Sequence, residues 1–250
     1  MKLTRILLLF LFPCSVLAQD GPLPELPWSA DNLNGIVPAG WFLLDSATGD
    51  LNGDNIPDLA LVVESDSGMV IPDDEDMVSP RILAVYLRRG DGYVLSVQAE
   101  NVVLRADQGV NFDPWSWIAI DSGALSFGFY TGGAWRWSAG YYFRFQDEGW
   151  YLVRANETNY HSVHGDMWSC EYDLVSGEVV ITTGNMFGGN CLPCEDCANC
   201  AGNGDECGEC ETYTEVPDIV RRNNIGKTWL PALKEFSPDA FLFPGLEGAD

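Results

Sequence analysis

The chain has 250 residues, 13 of them Lys or Arg and 37 Asp or Glu, so its formal charge is 13 − 37 = −24. A field of that sign repels nucleic acid and anionic membrane surfaces, and it disfavours phosphorylated substrates unless a metal intervenes. With 46% hydrophobic and 12% aromatic residues, however, this is no disordered acidic chain, and its length suffices to bury one large or two small cores.

The first 18 residues read as an export signal. Met1 to Arg5 is short and basic, and Ile6 to Phe12 is an apolar run too short to span a bilayer. Val16-Leu17-Ala18 then supplies a cleavage site. Removal after Ala18 leaves Gln19 first, takes away Lys2 and Arg5, and brings the charge to 11 − 37 = −26. Cys14 offers a lipid-anchored alternative, but Leu11-Phe12-Pro13 lacks the small residues of a lipidation site. No second apolar stretch approaches the length of a transmembrane span. The expectation is an exported protein, periplasmic, cell-surface or secreted, without a transmembrane segment.

The body reads as short strands between turn signals. Leu59 to Glu64, Ile82 to Leu87, Tyr93 to Ala99, Trp117 to Ile120 and Leu125 to Tyr130 come first. Gly140 to Phe145, Trp150 to Ala155, Met167 to Leu174 and Glu178 to Thr183 follow. The connections Gly90-Asp91-Gly92, Asp121-Ser122-Gly123, Asp147-Glu148-Gly149 and Ser176-Gly177 are rich in the residues that tolerate positive φ in tight hairpins. The fold class is all-β: an antiparallel meander forming a sandwich, an open barrel or a partial propeller-like sheet. One short helix is expected at Thr228 to Phe236, with a loosely packed tail after Pro238. Ser65 to Val78, which holds five acidic residues, reads as a surface loop. The expected organisation is a signal at 1–18, a β domain at 19–189, a Cys-rich acidic insertion at 190–215, and a C-terminal segment at 216–250 packing on the β domain.

The sharpest chemical signal is Asp50-Leu-Asn52-Gly-Asp54-Asn-Ile56-Pro-Asp58. It sets oxygen-bearing side chains at relative positions 1, 3, 5 and 9, with the Ile56 carbonyl available at position 7. An all-oxygen set on alternate residues of a loop suits a hard cation such as Ca²⁺, and Gly53 and Asn55 permit the sharp turning. An EF-hand differs, because its position-12 Glu would here be Leu61 and its position-6 Gly is Asn55.

Gly49-Asp-Leu-Asn-Gly-Asp-Asn-Ile-Pro-Asp-Leu59 resembles the FG-GAP, or VCBS-type, repeat, the calcium loop of the integrin α propeller and of many bacterial secreted proteins. More of the chain is similar to uncharacterised bacterial exported proteins carrying one such loop. The supporting stretches are Gly132-Gly-Ala-Trp-Arg-Trp-Ser138, Trp150-Tyr-Leu-Val153, Asp173-Leu-Val-Ser-Gly177 and Thr182-Thr-Gly-Asn185. The likeness runs from about Pro38 to Asn185 and resumes near Thr228. It implies structural calcium on Asp50, Asn52, Asp54, Ile56 and Asp58, and no catalytic activity. A complete propeller needs several such loops and this chain has one, so a closed ring is not expected.

Cys191, Cys194, Cys197 and Cys200 recur every third residue, and Cys207 and Cys210 form a further C-x-x-C. In a reducing cytosol this would read as a zinc or iron–sulfur site. Export into an oxidising compartment favours three disulfides over Zn²⁺, and six cysteines allow fifteen pairings. Cys170, on a strand with Trp168 and Tyr172 on its face, reads as a buried free thiol.

Two weaker constellations remain. His161 and His164 lie beside Asp166 and could hold a metal or supply a general base, but no nucleophile motif accompanies them. Trp115, Trp117, Trp135 and Trp137 could form a platform for sugars, with Trp135 and Trp137 on one strand face and Arg136 on the other. Asn156-Glu-Thr158 matches a glycosylation sequon, meaningful in a eukaryotic source. The expected function is an exported, calcium-binding, non-catalytic binding or surface-interaction protein whose partner is a protein or a glycan, acting as a monomer. The alternatives are a glycan-binding protein using the tryptophans and a metal-dependent hydrolase using the two histidines.

Overall fold

The computed structural model describes residues 23–70, 77–187, 189–191, 213–215 and 217–243, with side chains left undescribed at 69–70, 189–191 and 213–215. In chain order the strands are β1 (Ser29–Ala30), β2 (Trp41–Gly49), β3 (Asp58–Ser65), β4 (Met69–Val70), β5 (Met77–Val78), β6 (Arg81–Arg89), β7 (Gly92–Ala99) and β8 (Trp115–Asp121). There follow β9 (Ala124–Gly132), β10 (Trp135–Gln146), β11 (Gly149–His161), β12 (Asp166–Asp173), β13 (Glu178–Asn185), β14 (Gly189–Cys191), β15 (Tyr213–Glu215) and β16 (Ile219–Asn224). All pairings are antiparallel, and they form a five-stranded sheet ordered β1-β7-β6-β3-β2 and a seven-stranded sheet ordered β16-β13-β12-β11-β10-β9-β8. The two pack face to face as a sandwich. All nine strands read from the sequence are present.

The inner strands of the five-stranded sheet, β3 and β6, are covered on both faces. Ala60, Val62, Leu83, Val85 and Leu87 meet Leu125, Phe127, Phe129, Tyr141 and Phe143 of the larger sheet. The alternate residues Leu59, Leu61, Val63, Ile82, Ala84 and Tyr86 pack beneath an N-terminal strap that contributes Leu26 and Ile36. Double coverage explains why β3 and β6 read as continuous apolar runs without alternation. Arg81, at the start of β6, is fully buried: it donates to the Leu104 carbonyl at 2.7 Å, to Glu64 at 2.6 Å and through two nitrogens to Asp113.

The C-terminal expectations need correction. Thr228 to Phe236 is not an α-helix. Pro231 lacks an N–H and drives the preceding residue out of the helical region. The chain there runs extended: the Pro231 carbonyl accepts from the Leu152 amide at 2.9 Å, and Ala232 bridges Tyr151. Only short 3₁₀ turns follow, at Leu233–Glu235 and Pro238–Ala240. Before Pro238, Leu233 and Phe236 are buried, and Phe236 meets Tyr141 and Phe143 edge-on at 4.8 and 5.4 Å. Of the described tail after Pro238, Phe243 is buried and Phe241 packs on Tyr141 and Phe236, whereas Leu242 is exposed.

Within the C-terminal segment, β16 does more than pack on the sheet, because it supplies one of its edge strands. The insertion enters and leaves at one place: Gly189 pairs with Glu215 and Cys191 with Tyr213. Cys194, Cys197, Cys200, Cys207 and Cys210 lie outside the described residues. So do Met1 to Ala18 and the acids of the 71–76 segment, although β4 and β5 make the flanks of that segment a small hairpin rather than plain loop.

Candidate functional site

Gly49 and Asp58 are cross-strand partners, so residues 50–57 form the loop that closes the β2–β3 hairpin. Gly49 is needed at its root, since a Cβ there would lie 2.5 Å from Ile120 Cγ2 and 3.3 Å from the Ile120 carbonyl oxygen on β8. Gly53 (φ 79°) and Asn55 (φ 62°) are left-handed, as their residue types anticipated. The polar side chains turn inward onto the loop's own backbone. Asp50 Oδ1 accepts from the Gly53 amide at 2.7 Å and the Asp54 amide at 3.2 Å, and Asp50 Oδ2 accepts from Asn55 at 2.8 Å. Asn52 Oδ1 accepts from Asp54 at 3.0 Å, and Asp54 Oδ1 from Ile56 at 2.9 Å. Desolvation pushes the Asp50 carboxyl up, but the amides of Asn55, Gly53, Asn52 and Asp54 outweigh it and hold the group below the usual carboxylate range.

Asp58 differs from the others. It is 0% exposed, its Oδ2 accepts from Leu51 at 2.9 Å and its Oδ1 from Arg88 at 2.8 Å, so it ties the loop's base to β6 whether or not an ion is bound. Ile56 is exposed. Among the described residues no three His, Cys, Asp or Glu side chains converge as a metal centre requires; this applies to Asp50, Asp54 and Asp58, and to His161, His164 and Asp166. Two features of the loop nevertheless fit a hard cation. Its ligand set is entirely oxygen. A cationic group already approaches from outside, with Arg89 Nη1 3.4 Å from Asp54 Oδ2. The buried Asn52 Nδ2, which has no hydrogen-bond partner, is a donor and calls for an acceptor rather than a cation.

The two histidine rings stack at 4.5 Å, and His161 Nδ1 accepts from the Val163 and His164 amides at 3.3 and 3.1 Å. That nitrogen therefore serves the turn, leaving Nε2 as the only free ring nitrogen of His161.

The four tryptophans do not make one flat surface. Trp115 packs on Phe127 and Phe129 toward the core and donates to Asp45 Oδ2 at 3.2 Å. A register irregularity between Trp115 and Trp117 turns Trp117 to the outer face, beside Tyr142 and across Gly128. Trp135 and Trp137 do share the inner face, while Arg136 lies on the outer one over Phe112 and Tyr130. Trp137 stacks on Phe129, and its Nε1 donates to Glu157 Oε1 at 2.8 Å. Asn159 Nδ2 donates to the same oxygen at 3.1 Å. Burial pushes the Glu157 carboxyl up, and these two hydrogen bonds only partly offset it.

Sequence reasoning missed Glu157 and Asn159. The available signal was the run of polar residues at alternate positions of β11. Cys170 is free and buried, as expected, and its thiol is pushed up to about 11 by burial and by Glu157 and Glu171.

Comparison with protein-family models, curated proteins and solved structures finds no match to this chain. The likeness of residues 49–59 to the FG-GAP loop therefore rests on those residues themselves. No helix among the described residues is long and apolar enough to cross a membrane.

Proposed function

We propose that this is an exported, calcium-stabilised, non-catalytic binding module of FG-GAP type, acting on a protein or glycan outside the cytoplasm. The observation that carries the reading is the 50–58 loop. Its oxygen-bearing side chains fall at alternate positions, its backbone is turned by left-handed Gly53 and Asn55, and it is anchored to a strand in the middle of the buried sheet. Asp50, Asn52, Asp54, the Ile56 carbonyl and Asp58 are the proposed ligands. Bound calcium would supply a common positive centre for side chains that otherwise turn to backbone amides.

Thermal melting in calcium and in chelator tests this. Extracellular calcium modules bind at roughly 10⁻⁴ to 10⁻³ M, and at ten times the dissociation constant mass action adds about 1.4 kcal/mol. For a domain of this size that raises the midpoint by about 3–6 °C. Magnesium should do less, because it demands tighter octahedral geometry and keeps its waters. Asp54→Ala should fold and lose the calcium response, whereas Asp58→Ala should destabilise the protein even in chelator. If wild type and Asp54→Ala melt identically with and without calcium, and calorimetry shows no binding at roughly millimolar ion, the loop is only a turn.

A further inference from the structure

The inner face of the large sheet runs on past the part covered by the smaller sheet, and its cross-strand registers can be followed row by row. In one row Trp137, Asn159, Trp168, Thr183 and Ile219 are successive partners on β10, β11, β12, β13 and β16. In the next, deeper row Ala139, Glu157, Cys170, Ile181 and Arg221 are partners, which sets Arg221 three strands away from Glu157, with no ion pair between them. In the outer row Trp135 stands opposite His161, with the rings edge-on at 5.1 Å. Exposure rises along β10 from Ala139 at 4% to Trp135 at 53%, so the face opens from Glu157 outward. Trp137 and Trp168 flank Asn159 from two strands apart, a backbone separation of about 10 Å.

Glu157 is half-buried, and it has no cationic partner among the described residues. Its Oε1 is held by the Trp137 indole and the Asn159 amide, both neutral donors. Its Oε2 takes no hydrogen bond from any described residue. Because Asn159 spends its Nδ2 on Glu157, it offers its carbonyl oxygen as a second acceptor. The nearby charge has the same sign: Glu157 and Asp239 both act on the Tyr141 hydroxyl, which burial and these two carboxylates push up. Desolvated carboxylates in proteins are normally paired, and leaving one unpaired costs stability. Here the protein fixes one carboxylate oxygen through Trp137 and Asn159, places Trp168 one row further out, and supplies no counter-ion among the described residues.

We propose that this face binds a small organic cation, with its alkylammonium head at Glu157 Oε2, its methyl or methylene groups against Trp168, and its remainder leaving past Trp135 and His161. The carboxylate supplies the ion pair. Trp137 turns its N–H edge to Glu157 and stacks its face on Phe129, so it orients the carboxylate. The Trp168 indole is the ring whose face attracts the cation, an interaction that strengthens in a partly dehydrated site. The chain's overall charge of −24 concentrates cations at its surface. A neutral sugar could use the same indoles, but it would leave the Glu157 charge uncompensated.

The test is a titration of the full protein with tetramethylammonium chloride, followed by tryptophan fluorescence and calorimetry, against sodium chloride at matched ionic strength and against glucose. We expect a saturable response to tetramethylammonium alone. Glu157→Gln keeps the shape and removes the charge, and should weaken binding about tenfold or more. Trp168→Leu leaves the carboxylate in place, removes one indole face, and should weaken binding severalfold; it carries the test if Glu157→Gln does not fold. The inference is overturned if wild type shows no saturable response, if Glu157→Gln binds as well as wild type, or if glucose binds as tightly as tetramethylammonium. Repeating the titration on Asp54→Ala separates this site from the calcium loop, because binding here should survive loss of the calcium response.

Discussion

The inner strands of the five-stranded sheet, β3 and β6, are buried on both faces, whereas the inner face of the seven-stranded sheet is buried at one end and opens toward Trp135 at the other. The charges they hold differ accordingly. Arg81 in the small sheet is completely enclosed and fully paired, with Glu64, Asp113 and the Leu104 carbonyl taking its nitrogens. Glu157 in the large sheet is half-enclosed and has only neutral donors. A double-covered sheet tolerates a charge only when its whole hydrogen-bonding capacity is met, which makes Arg81 a fastener. A sheet with an open end can keep an incompletely satisfied carboxylate, which makes Glu157 available to a ligand.

The largest way to break this contrast is Arg81→Ala. It removes the cation and leaves Glu64 and Asp113 facing each other, so we expect a loss of about 3–5 kcal/mol by urea denaturation. Acid should act through the same group. Burial raises the Asp113 carboxyl, but its bonds to Arg81 and to the Trp115 amide outweigh this and hold it below the usual range. Its contribution is therefore present above the ordinary carboxylate value near pH 4 and is lost as pH falls through the lower folded value. Glu157 runs the other way. Its folded value is raised, so its penalty is absent below about pH 4, where the group is neutral in both states, and complete once pH exceeds the folded value. Glu157→Gln should therefore melt higher than wild type at neutral pH and equally at low pH, whereas Arg81→Ala should lose its disadvantage in acid. Melting curves from pH 3 to 7 would show the two variants, one above and one below wild type at neutral pH, converging on it in acid.

Leu233→Ala comes next, at roughly 2–5 kcal/mol. This residue is 0% exposed and belongs to the C-terminal segment that closes the covered end of the large sheet. A loss well under that range would mean that the segment rests on the sheet without sealing it.

What the sequence revealed follows the same division. β3 and β6 were plain as apolar runs because both faces are covered. β2 and β16 were missed because edge strands with little burial carry no hydrophobic period; every residue of β16 is exposed. The inner-face site was hidden for a different reason. Phe143 pairs with Leu152 and Tyr142 with Arg154, so Val153 is an extra residue and the facing parity of β11 reverses there. Reading outward from the apolar Trp150 and Leu152 would put Glu157 and Asn159 on the solvent face. The 50–58 loop was legible as a tight turn because its left-handed residues, Gly53 and Asn55, are local in the chain. A C-terminal segment packing on the β domain was expected, but the burial of Phe236 and Phe243 was not legible, since the sheet that covers them lies far away in sequence.

The smallest effect concerns a turn of the large sheet and sharpens the contrast from its solvent side. Two of its hairpins close with two residues each. Asp121 pairs with Ala124 around Ser122 (φ 51°) and Gly123 (φ 72°), and Gln146 pairs with Gly149 around Asp147 (φ 50°) and Glu148 (φ 62°). Gly149 begins β11, so the left-handed positions of this turn fall on Asp147 and Glu148 rather than on the glycine. A non-glycine residue there costs about 1–2 kcal/mol, and glycine gives back about 0.5–1 kcal/mol through its larger unfolded-state entropy. Glu148→Gly should therefore stabilise the protein by about 0.5 kcal/mol, a rise of about 1–2 °C. Gly123→Ala imposes the reverse change on the matching position and should destabilise by about the same amount or somewhat more. Nothing packs within 4 Å of where its Cβ would lie, so the effect there is conformational alone. If both variants shift the urea midpoint in these opposite directions, the outer turns of the large sheet are governed by local backbone preference. If Glu148→Gly instead lowers it, the Glu148 side chain has a role in the turn that outweighs its backbone cost.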